Sequence, residues 1–276
     1  MLEQYAALNE RGLECEEFIV PVGNRKVSAM IASPAAKDLH PDPVLLLSIG
    51  GQDTHLIPPN DQPAKYFWER GHRVVSFKIP FEVVAQDALK IGTAARIYNI
   101  AIETLCDRII SDIDPFTDFI EDAKAVIKTC IDRKWARPGR IVVTGISRFG
   151  YLAFRLMASD NQLNIGGGFA PVTDWSELIE FKEQKHLKKV TDLKISLFTE
   201  KLTGKKIYMA IGNHDDRVST LKCCQFFLDL NQENEKLGFD RSYVDFLCTP
   251  DPQHTLSDEC YTKGLEILLN WAIAKT

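Results

Sequence analysis

Short apolar runs, each closing on glycine or a polar loop, constrain this chain more than any other feature. They lie at residues 44–49, 73–79, 141–146, 165–172, 206–211 and 243–248. The run 44–49 is apolar at nearly every position rather than at alternate ones, as a strand reads only when both of its faces are buried. Segments of helical spacing lie between the runs. Phe116, Phe119, Ile120, Ala123, Val126, Ile127 and Cys130 form one apolar stripe, and 64–69, 94–101, 220–230 and 261–274 are further helices. Strand and helix alternate from residue 44 onward, which predicts an α/β fold with a mostly parallel sheet and helices on both faces. Ahead of it, 18–22 and 27–32 flank Gly23-Asn24 as an antiparallel hairpin should.

A chain of 276 residues, 45% hydrophobic, can bury the core of one such domain, expected to span 1–276. A net charge of −5 without a Lys/Arg block argues against nucleic acid or an anionic membrane as partner. No run approaches the length of a membrane span, and the acidic, polar start at Met1-Leu2-Glu3-Gln4 does not read as a signal peptide. The seven cysteines, Cys15, Cys106, Cys130, Cys223, Cys224, Cys248 and Cys260, show no C-x-x-C spacing. They are expected to be buried free thiols in a reducing cytoplasm.

In a sheet of this kind functional groups collect beyond the carboxyl ends of the strands. Three such places carry chemistry. Gly145-Ile146-Ser147-Arg148-Phe149-Gly150 reads as strand, tight turn and helix; the turn strains the serine backbone and lifts its hydroxyl clear of the sheet. Ser147 acting only as a helix cap is the competing reading. Gly212-Asn213-His214-Asp215-Asp216 follows 206–211 and offers Asp215, with Asp216 as the second choice and a simple Asx turn as the alternative. His254 follows 243–248. Of the other histidines, His214 is too near Asp215 to face it, His55 lies ahead of the serine, and His40, His72 and His186 lie in loops or polar stretches.

A serine hydroxyl needs an imidazole to take its proton, and the imidazole needs a carboxylate to fix its tautomer. Ser147, His254 and Asp215 would supply these parts. An oxyanion hole would use the backbone N–H groups of Arg148 and of Gly51, with Gln52 next in line, although the glycines of that loop would equally serve a sharp turn. Gln52, Phe149, Tyr151 and Trp175 are the expected substrate contacts. No metal or organic cofactor is expected: around His214, Asp215, Asp216 and His254 there is no H-x-H or H-E-x-x-H spacing.

With Gly145-Ile146-Ser147-Arg148-Phe149-Gly150-Tyr151, Phe169-Ala170-Pro171-Val172-Thr173-Asp174-Trp175, Gly212-Asn213-His214-Asp215-Asp216-Arg217-Val218 and Gln253-His254-Thr255, the chain resembles the α/β-hydrolase superfamily over about residues 15–275. Within it the likeness is to esterases related to dienelactone hydrolase and to the prolyl oligopeptidase catalytic domain. The resemblance implies a cytoplasmic serine hydrolase acting on a small-molecule carboxylic ester, and it leaves homo-oligomerisation open. It also implies that 174–201 forms a small cap which, with 81–113, sets substrate size; the other reading of 174–201 is a polar surface excursion. There is no separate propeller domain, so a dedicated oligopeptidase is not expected. Two positions depart from the family pattern. Ile49 stands where many members carry histidine, and Phe149 replaces the second elbow glycine. G-x-S-R-x-G is similar to glucuronoyl and acetyl-xylan esterases, which implies that the Arg148 side chain assists the oxyanion; the other reading is a surface or salt-bridged arginine. The departures also motivate an alternative, a non-catalytic α/β-hydrolase fold that binds a ligand or partner.

Overall fold

The computed structural model describes residues 8–50, 55–57, 60–81 and 94–274, with the backbone alone for 94–99. Its strands are β1 (Leu13–Val22), β2 (Arg25–Pro34), β3 (Leu45–Ile49), β4 (Arg73–Phe77), β5 (Ile141–Ile146), β6 (Ile165–Phe169), β7 (Lys206–Gly212) and β8 (Val244–Thr249). The longer helices are α1 (Gln62–Trp68), α2 (Ala94–Ile110), α3 (Phe116–Asp132), α4 (Arg148–Ser159), α7 (Thr220–Lys236) and α8 (Asp258–Ile273); α5 (Lys188–Thr191) and α6 (Thr199–Leu202) are single turns.

The strands form one sheet in the order β1-β2-β4-β3-β5-β6-β7-β8. β1 and β2 pair antiparallel across Gly23-Asn24, and β2 pairs antiparallel with β4. Every other pair is parallel. Consecutive side chains of the central strands point to opposite faces. Leu45, Leu47 and Ile49 join the core under α2, α3, α4 and α7, whereas Val44 and Leu46 join the core under α1 and α8. β7 divides likewise: Ile207, Met209 and Ile211 on one side, Tyr208 and Ala210 on the other. This two-sided burial is why the apolar runs of the sequence do not alternate with polar residues.

The run at 165–172 is strand only to Phe169. Ala170 has a φ of 44°, and the Val172 N–H turns back to the Ser147 carbonyl at 3.1 Å. Segment 174–202 is a chain of short turns joined to the main core, with Trp175, Phe181, Val190, Ile195 and Leu202 wholly buried. Of the cysteines, all of them free, Cys106, Cys130, Cys223 and Cys260 are buried as expected. Cys15 and Cys224 are only half-buried. Cys248 is exposed because β8 is the outer strand of the sheet and is only partly covered. No described helix is long and apolar enough to cross a membrane.

Candidate active site

The turn from β5 into α4 is made by Ser147, whose backbone sits at φ 57°, ψ −123°, a region that costs a non-glycine residue about 1–3 kcal/mol. The surroundings enforce it. The Ser147 N–H donates to the Phe169 carbonyl at 2.8 Å, and its own carbonyl accepts from Gly150 at 3.0 Å and Val172 at 3.1 Å. A Cβ on Gly145 would lie 2.2 Å from the Phe149 carbonyl oxygen, and one on Gly150 would lie 2.8 Å from the Pro171 side chain. Glycine at these positions lets strand and helix cross. Although Ser147 occupies the cap position of α4, its hydroxyl makes no capping bond. It faces the His254 Nε2 at 2.9 Å instead.

The other ring nitrogen, Nδ1, lies 2.7 Å from the Asp215 Oδ2. That carboxylate is fully buried, and its second oxygen accepts from the backbone N–H groups of Arg217 (3.0 Å) and Val218 (3.1 Å). The Asx turn and the histidine contact are therefore both made, one by each oxygen. Asp216 and His214 are exposed, which separates them from the neighbour that was harder to tell apart in sequence. The loops after β7 and β8 come together because Gly212 has no side chain: a Cβ there would lie 2.6 Å from the Asp251 carbonyl oxygen. Asp251 folds the loop that carries His254, its carboxylate accepting from the Thr249 hydroxyl at 2.7 Å and the Ser257 N–H at 3.2 Å.

Gly51 and Gln52, the expected oxyanion donor and its neighbour, lie outside the described residues. Beside them Gly50 is described, and the His55 ring covers it so closely that a Cβ on Gly50 would fall 2.0 Å from the ring. His55 in turn meets the Phe149 ring edge-on, centroids 5.2 Å apart. Both departures from the family pattern meet here. His55, downstream of Ile49, covers Gly50, and the phenylalanine that stands in place of the elbow glycine packs against that histidine. Burial, then the nearby Arg148 charge, push the His55 pKa down to about 4, so the ring is neutral near pH 7. Arg148 is buried, its guanidinium 4.4 Å from the Phe149 ring centroid, so of the alternatives to an oxyanion role the surface arginine does not hold.

Tyr151 and Trp175 are not placed as open substrate contacts. Both are fully buried and pack on each other with centroids 5.1 Å apart, and the Tyr151 hydroxyl accepts from Arg155 at 2.7 Å. For Tyr151, proximity to Ser147 along the chain misleads, because one turn into α4 its side chain points down into the core. Phe149 is also buried, against His55 and Arg148. Among the described residues no group of three His, Cys, Asp or Glu side chains converges as metal ligands would.

A mostly parallel eight-stranded sheet, with a serine elbow after β5 and the acid and histidine after β7 and β8, is the α/β-hydrolase fold. Solved structures with this fold match almost the whole chain. The Pyrococcus furiosus esterase Pf2001 superposes with a TM-score of 0.63 at 15% identity, over 97% of this chain and 95% of its own. Puromycin hydrolase matches with a TM-score of 0.66 at 17% identity over 94% of this chain, which spans 39% of that protein. The Pyrococcus horikoshii acylaminoacyl peptidase matches with a TM-score of 0.64 at 14% identity over 97% of this chain and 43% of its own. No protein-family model matches the chain, and no curated protein matches its sequence.

Proposed function

We propose that this protein is a serine hydrolase that cleaves small carboxylic esters through an acyl-enzyme. The observation that carries this reading is the unbroken contact from Asp215 through His254 to Ser147, at 2.7 and 2.9 Å, ending on a serine held at positive φ. In the proposed reaction the Ser147 hydroxyl gives its proton to the His254 Nε2 and attacks the acyl carbon. Asp215, locked by two backbone N–H groups, keeps the Nδ1 proton on the far side of the ring and stabilises the imidazolium that forms. The Arg148 N–H, at the start of α4, and the loop after β3 would receive the developing oxyanion, where the helix N-terminus also favours negative charge. His254 then protonates the leaving alcohol, and water releases the acid. That the solved structures of like fold include an esterase supports an ester substrate.

The test is labelling by a fluorophosphonate together with hydrolysis of p-nitrophenyl acetate. Wild type should do both, and Ser147→Ala should lose labelling and drop in kcat by about 10⁴-fold or more. A folded wild-type protein that neither labels nor turns over a panel of short-chain esters would leave the binding-protein alternative in its place.

A further inference from the structure

The carboxylate side of the triad is gripped by a residue far from the elbow. Arg217, whose backbone N–H donates to Asp215, extends its guanidinium to Glu180 in a two-pronged pair, Nη1 to Oε2 at 2.7 Å and Nη2 to Oε1 at 2.5 Å. The Glu180 side chain is only 7% exposed, so solvent competes little for it, and a forked pair of this kind fixes orientation as well as distance.

Glu180 is itself immobilised. Its carbonyl accepts from the Cys106 thiol on α2 at 3.2 Å, and the next residue, Phe181, is wholly buried against Trp175, centroids 5.7 Å apart. Trp175 packs on Tyr151, one turn after the nucleophile in α4. A continuous line of contacts thus runs from the helix that carries Ser147, through Tyr151, Trp175 and Phe181, to Glu180, Arg217 and the backbone donors of Asp215.

We infer that Glu180 and Arg217 are positioning residues for the reaction: the pair sets the Asp215 turn at a fixed distance from the nucleophile helix. The inference rests on the serine hydrolase reading. Losing the pair frees the Arg217 backbone to rotate its N–H off Asp215, and the imidazole then loses its alignment with the hydroxyl. Displacements of about 1 Å at such a site cost up to about 100-fold in rate. Substrate binding is not involved, so the loss falls on kcat.

The experiment compares Glu180→Gln, Arg217→Gln and the double variant with wild type in fluorophosphonate labelling rate and in kcat and KM for p-nitrophenyl acetate. Each single variant should lose about 10- to 100-fold in kcat and in labelling rate, with KM within about twofold. The double should be no worse than either single, since both remove one contact. Arg217→Lys, which keeps the charge without the fork, should fall between. Single variants within twofold of wild type, or a double variant whose losses multiply, would overturn the inference and leave the hydrolase reading intact. An unlabelled, inactive wild type removes both.

Discussion

At the scale of single residues, the proposed chemistry turns on two oxygen atoms of Asp215 doing different work. One is committed to backbone N–H groups and the other to His254. Asp215→Asn keeps the shape but presents an amide where Nδ1–H needs an acceptor; kcat should fall by about 10³- to 10⁴-fold with little change in KM or melting temperature. Phe149 gives a second prediction. Restoring the usual elbow glycine with Phe149→Gly removes a buried ring that holds His55, so steady-state denaturation should show a loss of at least about 3 kcal/mol rather than a gain. The meeting of Ser147, Asp215 and His254 was legible in the sequence because each follows a strand end, and strand ends converge on one rim. Glu180 was not legible. Its partner is 37 positions away, and nothing in a segment of short turns marks one glutamate among several.

At the scale of elements, the helix that follows Ser147, α4, is fixed at its far end by a buried cation. Lys205, just before β7, donates to the carbonyls of Met157 (2.6 Å), Asp160 (2.7 Å) and Leu163 (3.1 Å), which close α4 and the loop into β6. Lys205→Met fills the same space but withdraws the ammonium donor from all three carbonyls, leaving Met157 and Asp160 only the backbone N–H groups of Asp160 and Leu163, each at 3.3 Å. It should destabilise the fold by about 2–4 kcal/mol, read as a lower melting temperature, while the protein that remains folded keeps its kcat. The sequence reading placed α3 at the correct stripe because its periodicity is strong. Segment 174–201 is not a polar surface excursion: Trp175, Phe181 and Ile195, set between its charges, are core.

At the scale of the whole molecule, the buried histidines tie stability to pH. His55 is held at about 4 against an ordinary 6.5, chiefly by burial, and His72, also lowered chiefly by burial, is at about 4 as well. Between those values the unfolded chain takes up a proton that the folded chain refuses, so stability is complete above pH 6.5 and declines as pH falls towards 4. At 1.36 kcal/mol per unit, His55 alone accounts for about 3 kcal/mol. Denaturant titrations from pH 7.5 to 4.5 should follow this slope, and His55→Phe should reduce it by about half, His72 carrying the rest; an unchanged slope in that variant would contradict the assignment. The sheet itself was predictable because burial on both faces leaves an unmistakable pattern, whereas the exposure of Cys248 depends on β8 being outermost, a matter of strand order that spacing alone does not encode. Ser147 is anchored through four main-chain bonds, while His254 rides on a loop whose neighbours Gln253 and Thr255 face water. In the proposed cycle the serine backbone is therefore the stationary part, and the imidazole, tied at Nδ1 to Asp215, presents one and the same Nε2 first to the nucleophile to collect its proton, then to the departing alcohol to hand it on.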